Sequence, residues 1–393
     1  MEYAFSDRIK NMTGNAIRDI FSVLNDPEMI SFAGGMPARD ALPVQIVKEL
    51  SNQVLEKNGA SILQYGSTEG YMPFRESAVE YVRRSGNISC SEGEVFAVSG
   101  GQQGIDLACK ALLNSGDHVL VERPTYLAAL QILQTYQAQT HSVEMDEDGL
   151  NLLDLEKKLQ KYRPKFIYTI PNFQNPTGRT MSLTKRKKML ELAQRYNTLI
   201  LEDDPYGMLC YGVERLPSIK SMDMEGRVVY LTSFSKVISP GLRCGVAVAP
   251  GELGRKMVIG KQAVDVHTNS LSQAIIDAFL RGGYLDEQLK RSNEIHGHRK
   301  NHMLHCMEKY FPKEVHFTRP DGGLFIWAEL PETCSAVKLF QPAIERKVAF
   351  IAGMHFFAEG DGVNTMRLNF SNSDDERIER GIKTLGELIA ENL

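Results

Sequence analysis

Several features of other protein classes are missing from this sequence of 393 residues. It has no apolar run of membrane-spanning length, no internal repeat and no low-complexity segment. Its six cysteines include no Cys-x-x-Cys pair, so we expect reduced thiols in a cytoplasmic protein, with neither disulfides nor a metal site. The net charge of −4 argues against a nucleic-acid binder, and the basic cluster at 185–188 is interpreted as a solvated helix face. The first residues lack the apolar core of a signal peptide.

The length and the order of apolar segments predict two domains, because the chain is longer than one hydrophobic core usually supports. Between residues 94 and 248, six short apolar strands alternate with helical patterns. This alternation is typical of a mainly parallel sheet covered on both faces. After residue 285 the pattern changes to a smaller α+β domain, with helices at 287–310 and 374–393 and strands at 324–327, 348–351 and 366–370.

One lysine lies directly after a predicted strand. Residues 228–231 form an apolar, β-branched run, and Ser233, Ser235 and Lys236 fall beyond its carboxyl end, where open α/β sheets bind ligands. The permanent charge of Arg243 would lower the pKa of the Lys236 amine and favour imine formation with a carbonyl cofactor. A solvated lysine in a serine-rich loop fits this stretch equally well.

Other polar residues follow the neighbouring predicted strands. Gly101 and Gln102 open a helix after a glycine-rich turn, where free N–H groups would hold a phosphate, although such turns also serve packing alone. Tyr126, in a proline turn, could stack on a planar ring or simply cover the core. Asn175, in an Asn-Pro-Thr-Gly turn, could donate to a ring hydroxyl or serve only the turn.

Three adjacent acids, Glu202, Asp203 and Asp204, end another apolar strand, and Tyr206 follows them. Carboxylates at the end of a buried strand are costly unless something cationic receives them. We therefore expect a cationic group at this strand end.

Taken together, these residues resemble the fold type I pyridoxal-phosphate enzymes, and specifically the class I and II aminotransferases. The chain is most similar to the branch that contains 2-aminoadipate and kynurenine aminotransferases and the catalytic domains of MocR-type regulators. The resemblance spans essentially the whole chain and rests on an ordered set of residues: Gly101, Gln102, Tyr126, Asn175, Asp203, Tyr206, Ser233, Ser235, Lys236, Arg243 and Arg367. It implies an α/β fold with a mainly parallel seven-stranded sheet in a large domain (46–285), a smaller α+β domain (286–393) and an N-terminal arm (1–45) that joins the small domain and the substrate pocket.

The resemblance also implies pyridoxal 5′-phosphate as cofactor and assigns roles around it. Lys236 would bind it as a Schiff base, Asp203 would pair with its pyridine nitrogen, and Tyr126 would stack on its ring. Asn175 and Tyr206 would hydrogen-bond its phenolic oxygen. The phosphate would be held by Gly101, Gln102, Ser233, Ser235 and Arg243.

Further residues match the substrate side of the family's site. Arg367 matches the arginine that binds the substrate's α-carboxylate, although the local sequence without the resemblance favours an exposed residue of a strand. Asn175, Gly34 and Gly35 would line the same substrate pocket. Arg18 matches a mobile arginine that pairs with a distal carboxylate, and is equally consistent with a solvated arm residue. Tyr65 matches a tyrosine that reaches the partner subunit's phosphate in a homodimer, or is a loop tyrosine. His267 and His355 are not expected to be catalytic, and Trp327 is expected to be structural.

The function implied is transfer of an amino group from an L-amino acid to a 2-oxo acid, most often 2-oxoglutarate, in a ping-pong reaction. Lys236 would act as the general base, and the donor would be broad or of 2-aminoadipate or aromatic type. A lyase or decarboxylase of the same fold would use the same cofactor residues and is the main alternative. A ligand-sensing regulator is disfavoured, because the net charge is negative and the predicted fold leaves no room for a DNA-binding domain ahead of it. We expect no nucleic-acid or membrane partner.

Overall fold

The computed structural model describes residues 3–10, 12 and 26–393. The α-helices of these residues are α1 (Val44–Ile62), α2 (Met72–Gly86), α3 (Gly101–Leu112), α4 (Leu127–Thr135), α5 (Leu152–Tyr162), α6 (Leu183–Arg195), α7 (Gly251–Asp265), α8 (Ser270–Arg281), α9 (Tyr284–Tyr310), α10 (Ala336–Glu345) and α11 (Asp375–Ala390). The strands are β1 (Ile30–Ser31), β2 (Val95–Val98), β3 (His118–Arg123), β4 (Gln139–Asp146), β5 (Gly149–Leu150), β6 (Phe166–Thr169), β7 (Leu199–Asp203), β8 (Val228–Ser233), β9 (Gly245–Val248), β10 (His316–Phe317), β11 (Phe325–Glu329), β12 (Val348–Ala349), β13 (Ile351–Ala352) and β14 (Thr365–Asn369). None of the described helices is both long and apolar enough to cross a membrane.

The larger core is built on a sheet with the strand order β2-β9-β8-β7-β6-β3-β4-β5. The central strands β8, β7, β6, β3 and β4 are parallel, whereas β9 is antiparallel to both of its neighbours. The two-residue strand β5 pairs antiparallel with β4 at the edge. The predicted mainly parallel, seven-stranded sheet is therefore present, and β5 extends it as a short eighth strand.

Helices cover both faces of this sheet, which explains why its strands are apolar without alternation. On one face, α5 and α6 bury Leu155, Leu159 and Met189 against β3, β6 and β7. On the other face, α2, α3, α7 and α8 form the largest apolar cluster of the molecule. Because β6, β7 and β8 are parallel neighbours, the segments that follow them meet at one edge of the sheet.

A second apolar cluster lies around the antiparallel sheet β10-β11-β14-β13 and helices α9, α10 and α11. Ile30 and Phe32 of the N-terminal arm belong to this cluster, and β1 pairs in parallel with β12. The arm thus packs with the C-terminal segment. The division at residues 45 and 285 remains a prediction.

The strands differ from the prediction in several details, and the two-residue strands β1, β5 and β10 were not predicted. The strand β4 was missed, because its sequence lies near the sheet edge with Gln139, Glu144 and Asp146 exposed, and it therefore lacks a continuous apolar run. The predicted single strand at 348–351 is divided at Phe350 into β12 and β13, which belong to different sheets.

The contact between α11 and the end of α9 gives a test of packing. A Cβ atom at Gly386 would lie 2.3 Å from the backbone oxygen of Tyr310, so α11 would have to move. We expect Gly386→Ala to lower the free energy of unfolding by about 1–3 kcal/mol, measured by chemical denaturation. The control is Gly260→Ala, also inside a helix. Its Cβ would lie 3.2 Å from the flexible Lys110 side chain and 3.8 Å from Leu107 Cδ2, an ordinary contact, so the change should be neutral or slightly stabilising. Equal effects of the two changes would contradict this account.

Candidate active site

Lys236 lies three residues beyond the end of β8 and lines a cavity of about 370 Å³. Its Nζ donates to the backbone oxygen of Gly35 in the arm, at 2.7 Å. Withdrawal from water is the main cause that lowers the pKa of the Lys236 amine to about 8, followed by the charges of Arg367 and then Arg243. The sequence pointed to Arg243 as the cause, but it is the smallest of the three. The lysine faces an internal cavity, unlike a solvated loop residue.

Most of the predicted site residues line this same cavity. They come from the arm and from the segments that follow β2, β3, β6, β7 and β8, with Arg367 contributed by β14. The predicted residues in the lining are Gly34, Gly35, Gly101, Gln102, Tyr126, Asn175, Asp203, Tyr206, Ser233, Ser235, Lys236, Arg243 and Arg367.

One end of the cavity is open and rich in hydrogen-bond donors. Helix α3 begins at Gly101 without a side-chain cap, so its first N–H groups have no partner within the helix. Arg243 is exposed and donates from Nη2 to the Ser99 oxygen at 3.1 Å. Gly100 has a φ of 90°, and a Cβ there would lie 2.8 Å from Arg243 Nη2. This end is built to receive an anion.

A buried part of the cavity wall carries a carboxyl group. Asp203 is 4% exposed, and its Oδ2 accepts a hydrogen bond of 2.8 Å from the Tyr168 hydroxyl. Burial raises the pKa of Asp203 to about 7; the Tyr168 hydrogen bond opposes this rise and Asp204 adds to it. An ionised Asp203 therefore needs a positive partner from outside the described residues.

The acids on either side of Asp203 have other partners. Glu202 accepts from the backbone N–H groups of Ile219 and Lys220, both at 2.8 Å. Asp204 accepts from Gly207 N–H at 2.9 Å and from the Tyr230 hydroxyl at 3.0 Å. Burial raises the pKa of Asp204, and hydrogen bonds from Asn172 and Tyr230, followed by the charge of Arg186, oppose this rise. Among the described residues, the buried charge of Arg186 acts on both Glu202 and Asp204, so the expected cationic group serves these two acids and not Asp203.

Arg367 is a buried residue, so the prediction of a surface strand residue from the pattern alone was wrong. Its Nη1 donates to Asn175 Oδ1 at 2.8 Å and its Nη2 to the Ala33 oxygen at 2.5 Å. The guanidinium lies over the rings of Phe325 and Phe356, at 4.1 and 5.0 Å from their centroids. Its Nε is buried without a hydrogen-bond partner in the described chain. An incoming carboxylate would satisfy this atom.

The cavity lining does not include Tyr65, His267, His355 or Trp327. Tyr65 is 81% exposed, with its ring 6.0 Å from that of His267. Trp327 packs against Phe356 in a small apolar cluster, as expected of a structural residue. Arg18 lies outside the described residues.

A buried polar pair that was not predicted from the sequence joins two turns of the cavity lining. Gln174 Nε2 donates to Glu122 Oε2 at 2.9 Å and to the Pro124 oxygen at 2.7 Å, while its Oε1 accepts from Thr177. Gln174 thereby joins the turn that carries Asn175 to the turn that carries Tyr126. Glu122 and Gln174 lie next to the turns that the sequence analysis singled out, but their pairing depends on the register of β3 and β6 and could not be predicted.

A second missed group supports the anion-binding end. Lys261 is fully buried, and its Nζ donates to Gln103 Oε1 at 2.8 Å and to both oxygens of Asp265. Gln103 Oε1 also accepts from the Ser99 N–H at 2.8 Å. Since the backbone oxygen of Ser99 accepts a hydrogen bond from Arg243, this network holds the turn before α3 in place.

Comparison with known proteins identifies the family. A sequence model of "Aminotransferase class I and II" matches residues 27–385. The chain is 42% identical to an aromatic-amino-acid aminotransferase of Thermococcus litoralis, over 100% of this chain and 95% of that protein. It is 39% identical to a 2-aminoadipate transaminase of Thermus thermophilus, over 98% of this chain and 96% of that protein. A crystal structure of Pyrococcus horikoshii kynurenine aminotransferase, in complex with PMP, superposes with a TM-score of 0.95 at 38% identity and covers 99% of this chain and 97% of that one.

The chain belongs to the class I and II aminotransferases. The predictions of a fold type I enzyme, of an aminotransferase and of pyridoxal phosphate as the family's cofactor are confirmed. Two features of the aminotransferase cavity fit this cofactor without reference to the relatives. The open end offers uncapped N–H groups and an arginine to a phosphate. The buried wall offers Asp203, a carboxyl group without a cationic partner among the described residues, to a protonated ring nitrogen.

The cost of burying Asp203 can be measured in the cofactor-free aminotransferase. Its folded pKa of about 7 lies above the ordinary value of 3.8, so the native state binds more protons between these values and stability falls as the pH rises through this window. An asparagine side chain at this position does not ionise and keeps an oxygen for Tyr168. We therefore expect Asp203→Asn to raise the free energy of unfolding at pH 8 by on the order of 2–4 kcal/mol, with the gain vanishing near pH 4, as measured by denaturation across this pH range.

Asp204→Asn is the matched control for that experiment. Burial raises the pKa of Asp204 too, but hydrogen bonds from Asn172 and Tyr230 and the charge of Arg186 oppose this rise. Its ionised form is therefore better compensated, and we expect Asp204→Asn to give a smaller gain in stability at pH 8 than Asp203→Asn. If Asp203→Asn gave no larger gain than Asp204→Asn, the ionised Asp203 would not be the costly group that its surroundings indicate.

Proposed function

We propose that this aminotransferase moves the amino group of an L-amino acid with a large apolar or acidic side chain to a 2-oxo acid such as 2-oxoglutarate, through pyridoxal phosphate held at Lys236. One observation carries the proposal: Lys236, Asp203 and Arg367 face one cavity. An amine, an acid and a carboxylate receptor are the groups that this chemistry requires.

The residues of the cavity would hold the cofactor at both ends. Gly101, Gln102, Ser233, Ser235 and Arg243 would bind the phosphate, and Tyr126 would stack on the ring. Asn175 accepts from Arg367 through Oδ1, which leaves its amide nitrogen to donate, with Tyr206, to the phenolic oxygen. When bound, pyridoxal phosphate supplies a carbonyl carbon that amines attack and a ring that takes up electrons from the substrate's Cα–H bond.

Arg367 would orient the substrate by its α-carboxylate. The carboxylate would find the unpartnered Nε and could replace the neutral Ala33 oxygen at Nη2, because a charged acceptor binds a guanidinium more strongly than a carbonyl does. The Asn175 contact keeps the guanidinium in place during this exchange. The substrate amine and Cα then lie on the side of the cavity where Lys236 stands.

Lys236 would act as the general base. With a pKa near 8, its amine gives up and takes back a proton near neutral pH at little cost. Nζ would accept the proton from the substrate Cα, and the Gly35 oxygen would hold the charged amine until the proton is returned. Substrate binding brings a negative charge to Arg367, which removes part of the repulsion that lowers the pKa.

The walls of the cavity support a broad donor range. Met36, Leu127, Ile170 and Phe325 give it apolar surface, which suits aromatic and aliphatic side chains. The cations that line it are Lys236, Arg243 and Arg367, each with a role at the cofactor or the α-carboxylate, so an acidic side chain would need a further cation; we propose Arg18. The names of the relatives, with aromatic amino acids and 2-aminoadipate as substrates, are consistent with both donor types.

A homodimer would complete the site. The phosphate end is exposed in one chain, and Tyr65 is exposed with Leu63 and Met72 also largely exposed near it in sequence. Tyr65 would donate to the phosphate in the partner's cavity.

We further propose a cytoplasmic location, since all six cysteines are free. We also propose the division into an arm (1–45), a large domain (46–285) and a small domain (286–393).

Half-reactions test the proposed function. The purified protein should show the visible absorbance band of a lysine-bound cofactor, and excess L-glutamate or L-phenylalanine without an acceptor should convert it to the band of the amine form. Adding 2-oxoglutarate should restore the first band. Lys236→Ala should bind the cofactor without the first band and should not convert. A band that no common amino acid moves would overturn the amino-transfer proposal and favour a lyase or a ligand sensor of the same fold.

Tyr65 gives a separate test of the homodimer. We expect Tyr65→Ala to raise the dissociation constant of pyridoxal phosphate about tenfold, the worth of one hydrogen bond to a charged group. Tyr3→Ala changes a similarly exposed tyrosine and should leave the constant unchanged. A monomer in sedimentation, or equal effects of the two substitutions, would contradict the role of Tyr65.

A further inference from the structure

Asp203 has a partner that the family resemblance did not supply. Tyr168 is 1% exposed and pairs with Leu201 across β6 and β7. Because side chains two residues apart on a strand share a face, Tyr168 and Asp203 lie on the same face of the sheet. The Tyr168 hydroxyl donates to Asp203 Oδ2 at 2.8 Å, and within the described chain it is the one side chain that hydrogen-bonds this carboxyl.

The two oxygens of Asp203 therefore have different surroundings. Oδ2 is held by Tyr168, whereas Oδ1 faces Gly101 in the cavity lining, 3.5 Å from the position of a Cβ on that glycine. The charged or titratable groups that interact with Asp203 are Asp204, Tyr126, Tyr206 and Glu122. None of these is a cation, so Tyr168 is the group that favours the ionised carboxylate.

We propose that Tyr168 is a positioning residue that fixes Asp203 with Oδ1 toward the ring nitrogen of pyridoxal phosphate and keeps the shared proton on that nitrogen. The inference rests on the proposed function. A hydrogen bond donated to Oδ2 withdraws electron density from the carboxylate and lowers its affinity for a proton. The proton between Oδ1 and the ring nitrogen then rests on nitrogen, where it makes the ring a stronger electron acceptor.

The test compares two tyrosines that each serve one of the adjacent acids. Tyr168→Phe removes the hydroxyl from Asp203 and keeps the ring in the apolar core. Tyr230→Phe removes the corresponding hydroxyl, 3.0 Å from Asp204. Both proteins are loaded with pyridoxal phosphate labelled with ¹⁵N in the ring, and the ¹⁵N chemical shift reports whether the nitrogen carries the proton.

We expect Tyr168→Phe to move the ¹⁵N resonance toward the value of an unprotonated ring, and Tyr230→Phe to leave it near that of the unaltered protein. The first half-reaction should slow about 10- to 100-fold in Tyr168→Phe, the effect of one hydrogen bond to a charged group, with little change in the KM of the amino donor. A purely structural role would change both variants alike.

The outcomes separate this inference from the function on which it rests. If the unaltered protein does not bind pyridoxal phosphate at Lys236, the proposed function fails before the variants are compared. If it binds the cofactor and converts it with an amino acid, but the ¹⁵N shift is the same in Tyr168→Phe, or moves equally in both variants, then the role of Tyr168 is overturned and the proposed function stands.

Discussion

The burial of one negative charge governs the arrangement of this site. Asp203 ends a central strand and, among the described side chains, has only a neutral hydroxyl as partner, whereas Glu202 and Asp204 receive backbone N–H groups and the field of Arg186. An arginine beside Asp203 would favour its ionised form over the unpaired carboxylate. Leaving it unpaired keeps a carboxylate available to a cationic ring nitrogen, so stability of the cofactor-free chain and affinity for the cofactor oppose each other at this residue.

The sequence predicted the parts of the site that depend on chain order. In a parallel sheet the residue that follows each strand arrives at the same edge, so Lys236 after β8, Asp203 at the end of β7 and Asn175 after β6 could be placed together from strand order alone. The family resemblance added Arg367, whose environment the sequence could not show. Its strand is short, and its burial comes from Phe356 and from two parts that are far away in the chain, Phe325 and the arm.

The parts that the sequence did not predict depend on register and on pairing between distant segments. Glu122 and Gln174 meet because β3 and β6 are neighbours with a particular alignment, and Tyr168 reaches Asp203 because it stands opposite Leu201. A shift of either register by one residue would turn these side chains to the other face. The sequence likewise did not show that Arg367 lowers the pKa of Lys236 more than Arg243 does, since Arg367 comes from a strand 131 positions later in the chain.

The N-terminal arm connects the two cationic residues on which the proposed reaction depends. Its backbone oxygens at Ala33 and Gly35 accept from Arg367 and Lys236, and its anchoring lies elsewhere, in the pairing of β1 with β12 and in Phe32 within the second core. Arg367 stands on β14, near that core, whereas Lys236 follows the large sheet. The two carbonyls therefore set the distance between a residue that would grip the substrate and one that would move its proton. A neutral carbonyl suits this task. Its hydrogen bond positions each cationic side chain, but a substrate carboxylate can displace it from Arg367, because a full negative charge binds the guanidinium more strongly.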